Sequence, residues 1–239
     1  MLITNRKNLI DSNEQFSLGG EVFHEIFEIK DLGILFDCNL FFSAHITTII
    51  QNAKKRLFLL CKSFITKDPL LLIRAYIIYV RPLLEYCSPV WSPHTKKETD
   101  RIESVQRCFT KKLRGYESLS YSERLFNSNL SSLELRRLRN DLILCYKIIH
   151  NYVSIDYSDM FELDSNERTR GHKFKLRSKA PRLNCRLFFF GCRIIKVWNN
   201  LPSWCAEATT DIVFKSLLNT INLSEYLCND HDKLYFDGT

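Results

Sequence analysis

IRAYIIYVRPLLEYCSPVWSPHTKKETDRIESVQRCFTKKLR, residues Ile73 to Arg114, is the stretch from which the fold can be read. It opens as an apolar helix that Pro82 must kink or restart, because proline removes one amide donor and its ring crowds the preceding turn. Tyr86 and Trp91 follow, then a turn built on Pro89 and Pro93. Tyr86 and Trp91 are expected to pack there; stacking on bases is the alternative, but core packing is the commoner fate of such rings. Thr95 is placed to cap a second helix to about Leu113, with Ile102, Val105, Phe109 and Leu113 on one face and Glu103 four residues ahead of Arg107. Gly115 is placed to end it. One helix apolar nearly all round beside one half polar predicts a helical bundle with the apolar helix at its buried centre.

Working outward, Ile46, Ile49, Ile50, Ala53, Leu57, Leu60, Cys61 and Phe64 recur at three- and four-residue steps. That spacing predicts one apolar stripe on a helix opened by Ser43. Asp68-Pro69 marks the start of the apolar helix, since aspartate satisfies open amides and proline is tolerated at the first helical position. Before residue 43 the period is two: Glu14–Leu18 and Glu21–Phe27 flank Gly19-Gly20, a hairpin turn, and Leu32–Phe36 reads as a further short strand. After residue 115, Ser120 to Glu123 and Ser131 to Glu134 both fit the capping box. The second opens a helix with Leu135, Leu138, Leu142, Tyr146 and Ile149 inward and Arg136, Arg137 and Arg139 outward. Residues 151–170 are polar and acidic and read as a linker or long loop. The fold class expected is mainly α, with a small N-terminal β-hairpin.

A chain of 239 residues, 45% hydrophobic and 26% charged, suits one large or two small globular domains. Nine cysteines at irregular spacing, with no leader-like segment ahead of them, point to reduced thiols in cytoplasm or nucleus. The most apolar window, Leu70–Val80, contains Arg74 and is about half the length a bilayer span needs, which points to a soluble protein without a membrane partner. Net charge is +7, but Lys54–Arg114 holds 14 Lys and Arg against 5 Asp and Glu while the remainder nets −2. A charge run of this kind is a solvated helical surface or the field that a nucleic-acid backbone needs.

Several strings recur in a fixed order. Lys30, Asp31, Leu32, Gly33, Ile34 and Asp37 precede Leu40, Phe42 and His45. Arg81, Pro82, Leu84, Glu85 and Tyr86 precede Val90, Trp91 and Pro93, then Val105, Gln106 and Arg107. Farther on come Tyr146-Lys147-Ile148, Thr169-Arg170-Gly171-His172, Arg182 with Asn184, Phe189-Phe190 with Arg193, Trp198-Asn199 with Leu201-Pro202, and Phe214-Lys215. Together they resemble the region after the catalytic palm in reverse transcriptases of non-LTR retrotransposons of the jockey and CR1-like type. The resemblance runs from roughly the first residues to Leu218, nearly the whole chain; Cys205-Ala206-Glu207 departs from the pattern, and nothing after Asn222 is recognisable. It implies a palm edge at 1–42, a helical thumb at 43–117, post-thumb helices at 118–155, an acidic linker at 156–170, a C-terminal helical region at 171–222 and a tail at 223–239.

Polymerase chemistry needs carboxylates that hold two divalent ions. The nearest string, Tyr157-Ser158-Asp159-Met160, lacks the second aspartate and sits in the acidic loop. The resemblance places the catalytic strands before Met1, so no polymerase activity is expected of this chain alone, and the Mg ions would belong to the palm. Cys185, Cys192, Cys205 and His172 lack the spacing that sets two zinc ligands on one turn. What the resemblance implies is a thumb gripping the phosphates of an RNA/DNA duplex. The candidate contacts are Lys54, Lys55, Arg56, Lys62, Lys111, Lys112 and Arg114, chosen because they lie off the apolar stripes. The rival expectation is a helical protein-interaction module, with a partner or the palm itself covering the exposed strand edge.

Overall fold

The computed structural model describes residues 17–19, 21–22, 26–164, 171–177 and 184–237. The fold is mainly α with a small β portion at the N-terminal end. The expected strand residues Glu14–Phe16 and Phe23–Glu25, and the motif positions Thr169, Arg170, Arg182 and Leu183, lie outside the described residues.

β1 (Ser17–Leu18) pairs antiparallel with β2 (Glu21–Val22) across Gly19, whose φ of 63° is the left-handed value the turn requires. A second hairpin pairs β3 (Glu28–Asp31) with β4 (Ile34–Asp37). Its turn is Leu32-Gly33, both at positive φ, so Leu32 is a turn residue and not the first residue of a strand. The Asp37 carboxylate then accepts the amides of Asn39, Phe41 and Phe42 and folds the exit loop.

That loop delivers α1 (Ser43–Ser63). Ser43 does not cap it: the N-cap is Phe42 in left-handed conformation, without a side-chain bond to the helix. His45 fastens the start instead, its Nδ1 accepting the Leu35 amide at 3.3 Å while its ring meets Trp91 edge-on. α2 (Pro69–Tyr79) is capped by Asp68, and a 3₁₀ turn at Arg81–Leu84 carries Pro82. The short α3 (Ser88–Trp91) leads to α4 (Lys96–Lys111), capped by Thr95. The Ser120–Glu123 capping box forms at the start of α5 (Tyr121–Asn127). The other box does not form. Ser132 caps α6 (Leu133–Ile149), and Glu134 accepts instead from the Cys228 amide and the Asn229 side chain.

The interior is in two parts that meet along α6. Ile46, Ala53 and Leu57 of α1, Tyr76 of α2, Trp91 of α3, Ile102, Val105 and Phe109 of α4, and Leu133 of α6 form the first. Leu135, Leu142 and Tyr146 of α6 form the second with Phe190, Ile194, Trp198, Phe214 and Leu218. After the short α8 (Asn184–Leu187), these last come from α9 (Phe190–Arg193), the segments around α10 (Ile195–Asn199) and, beyond the short α11 (Ser203–Ala206), α12 (Asp211–Asn219). The acidic linker is more structured than its composition suggests. Asp156 caps the short α7 (Tyr157–Met160), Phe161 is buried in the second core, and Leu163 bridges to Leu176.

Three expectations about burial are corrected. α2 is not enclosed on all sides: Leu70, Leu71, Arg74, Ile78 and Tyr79 face outward. Tyr86 does not enter the core; its ring is exposed and its hydroxyl donates to the Leu32 carbonyl at 3.1 Å, tying the second hairpin down. Arg137 and Arg139 do not face water, because α6 is packed on every side and both are buried; Arg136 is half-buried against Glu85. The tail also folds back. Asp232 accepts from the amide and hydroxyl of Ser132, and Arg107 donates to His231 at 3.1 Å. Among the described residues no helix is long and apolar enough to cross a membrane.

Candidate nucleic-acid interface

Lys54, Lys55, Arg56, Lys62, Lys111, Lys112 and Arg114 are all exposed, and none has an ion-pair partner among the described residues. For Lys54, Lys55, Arg56 and Lys62 exposure follows from the wheel of α1, whose inward positions are Ile46, Ile50, Ala53, Leu57 and Leu60. At about 100° per residue, Lys55 stands opposite the core while Lys54 and Arg56 diverge to opposite flanks by about 160°. The consecutive basic triplet therefore does not form one face. Lys62 returns within about 20° of Lys55 and shares its row.

The helix pairing brings other cations together. α1 and α4 run parallel: Arg101 near the start of α4 donates to Thr47 near the start of α1 at 2.9 Å. At the far end, Cys61 and Phe64 share a cavity of about 300 Å³ with Phe109 and Leu113. Both helices thus end on the same side of the bundle, and Lys62 and Lys111 lie in their last turns. Lys67 and Lys112 line that shared cavity. Lys67 was missed by the sequence reading because it sits in the α1–α2 connection, outside any stripe; only the parallel pairing carries it to Lys112. The helix C-termini carry partial negative charge that these lysines offset, so part of the clustering serves the helices themselves.

The motif residues behave differently: they hold the fold. Glu85 pairs with both Arg81 and Arg136. Trp91 is buried and donates from Nε1 to the Tyr86 carbonyl at 2.8 Å. Gln106 accepts from Tyr76 and donates to the Ser131 carbonyl. In the second half, His172 bonds to the Trp198 carbonyl, and Asn199 exchanges two hydrogen bonds with the Leu176 backbone. Their order in the sequence therefore reads out interior contacts.

Between the two cores lies a buried polar seam. Glu103 accepts from Tyr121 and from the Leu133 amide, and burial pushes its carboxyl up to about 7 against the opposing pull of those bonds and of Arg137. Asp141, likewise raised by burial, accepts from Arg193 Nε at 2.9 Å and Nη2 at 3.1 Å. Burial also raises the Cys205 thiol to about 12, which makes it a poor nucleophile or metal ligand. Among the described residues no three His, Cys, Asp or Glu side chains are grouped so as to hold a metal ion.

No family model matches the chain, and no solved structure matches it. It is similar to an uncharacterized protein of Caenorhabditis elegans, 28% identical over 133 residues, which cover 54% of this chain and 65% of that protein. The matched segment thus spans less than two thirds of the relative's length.

Proposed function

We propose that this chain is a helical nucleic-acid-binding module, the counterpart of the thumb and following region of a non-LTR retrotransposon reverse transcriptase, and that it grips an RNA/DNA duplex by its phosphates without carrying polymerase carboxylates. The observation behind this reading is the group of exposed, unpaired cations at the common end of α1 and α4: Lys62, Lys67, Lys111 and Lys112. Phosphate contacts of this kind need charge and reach more than base-specific geometry. Lys55 would extend the row along α1, with Lys54, Arg56 and Arg114 as flanking contacts. The order of sequence motifs supports the same assignment.

The test is affinity for an RNA/DNA hybrid as a function of salt. Six phosphate contacts give a log–log slope of about −5, whereas a scattered cationic surface gives about −1 to −2. Reversing Lys62, Lys67 and Lys112 to glutamate should flatten the slope by about three. An unchanged slope in that triple variant would reject the interface.

A second reading, a protein-interaction module without a nucleic-acid role, draws on a separate observation. Phe27, Ile29 and Leu32 on the second hairpin, and Phe58, Leu59, Leu70 and Ile78 on α1 and α2, are exposed. A shallow salt slope together with a stable protein complex would favour it.

A further inference from the structure

Arg137 lies in the second turn of α6 with 3% of its surface exposed. It takes part in none of the hydrogen bonds or ion pairs among the described residues, and its Nη1 is fully buried without a partner. A guanidinium presents five donors in a planar fork, and a buried one without acceptors is costly. The side chain borders a cavity of about 370 Å³ between the two halves of the molecule, where α6 faces α10, the Ser92–His94 turn and the Glu225–Cys228 segment.

Of the carboxylates near this cavity, Glu225 is exposed to solvent, and the other three do not answer the fork because other donors occupy them. Asp141 is held by Arg193, Glu134 by the Cys228 amide and Asn229, and Glu103 by Tyr121 and the Leu133 amide. Burial lowers the affinity of Arg137 for its proton, and Glu103, Glu134 and Asp141 pull the other way through their fields. The interior of the site therefore has unused donors on Arg137 and engaged acceptors on Asp141 and Glu134, while Lys196, exposed on α10, adds a cation beside Arg137 and Arg193 and the exposed Glu225 adds a carboxylate. Leu138, Ile194, Val197 and Phe188 supply apolar wall, and Phe188 stacks on His94 with ring centroids 4.2 Å apart.

We propose that this cavity binds a small molecule carrying an oxyanion on an apolar or aromatic body, with the carboxylate or phosphate received by the Arg137 fork. The volume lies within the range of small-ligand pockets, and the pairing of one fork with two oxygens is the geometry guanidinium groups favour. The site is separate from the cationic ends of α1 and α4 and does not depend on the duplex-binding reading.

The experiment is calorimetric titration and thermal melting of the full chain with benzoate, phenyl phosphate and inorganic phosphate. Benzoate or phenyl phosphate should bind and raise the melting temperature. A preference between those two identifies the oxyanion, and inorganic phosphate should bind more weakly because it leaves the apolar wall uncovered. Arg137→Met, an apolar replacement of similar length that removes the buried charge, should weaken binding at least tenfold. Lys196→Glu, at an exposed position that leaves the interior intact, should weaken it several-fold if Arg137→Met does not fold. Absence of binding by all three probes, or equal binding by wild type and Lys196→Glu together with any folded Arg137→Met, overturns the proposal.

Discussion

Glu103 gives the seam between the two cores a measurable dependence on pH. Its carboxyl is buried on α4, and its folded-state pKa of about 7 exceeds the ordinary 4.5. Between those values the folded protein holds a proton that the unfolded chain has released. Stability contributed by this group is therefore complete below the unfolded pKa and is lost as pH rises through the folded one. A shift of about 2.5 units corresponds to about 3 kcal/mol at 1.36 kcal/mol per unit. The perturbation is Glu103→Gln, which keeps the shape and an oxygen acceptor for Tyr121 and the Leu133 amide but cannot ionise. Urea unfolding of both proteins at pH 5, 6, 7 and 8 gives the comparison, since midpoint and slope together yield the free energy. Between pH 5 and pH 8 wild type should lose about 2.5 kcal/mol more than the variant, because part of the loss already lies below pH 5. The difference between the two pH profiles is the decisive quantity, because removing the charge near Arg137 changes absolute stability as well. Parallel profiles, or a wild type that gains on the variant as pH rises, would refute the assignment.

Arg193→Ala should destabilise the chain by about 3 kcal/mol, because it leaves Asp141 buried without its bidentate partner; denaturant unfolding measures it, and a loss below about 1 kcal/mol would mean that water replaces the guanidinium. The same substitution deprives the Pro89 carbonyl of a donor at 2.9 Å, so loosening should reach the first half as well as the second. Leu32→Asn should stabilise the second hairpin by about 0.5–1 kcal/mol, since asparagine accepts the left-handed conformation that leucine holds there at a cost. Slower hydrogen exchange at Asp31 and Ile34 would show it, and faster exchange would contradict the turn geometry.

Local chemistry explains what could be read in advance. Asp68 with Pro69, Thr95, and Ser120 with Glu123 cap helices through bonds spanning two or three residues, and those bonds form. The α1 stripe likewise needs only the helical period, and Ile46, Ile50, Ala53, Leu57 and Leu60 are its buried positions. At the candidate interface the exposure of the four cations on α1 followed from the same period, but the grouping of the cations did not. Lys54 and Arg56 are neighbours in sequence and diverge in space, while Lys67 and Lys112 are 45 positions apart in the chain and line one cavity.

Contacts within a few residues set the helices around α1, α2, α4 and α5, the caps at Asp68, Thr95 and Ser120, the inward face of α1 and the concentration of positive charge, and these could be read from local pattern. Packing between distant elements encloses α6, so that Arg137 and Arg139 are buried, and leaves Tyr86 outside as a strap on the hairpin. It also returns the last segment to Ser132 through Asp232, a contact across 100 residues. Polar side chains on a packed helix take their environment from whichever surface meets them, and no local pattern encodes that meeting.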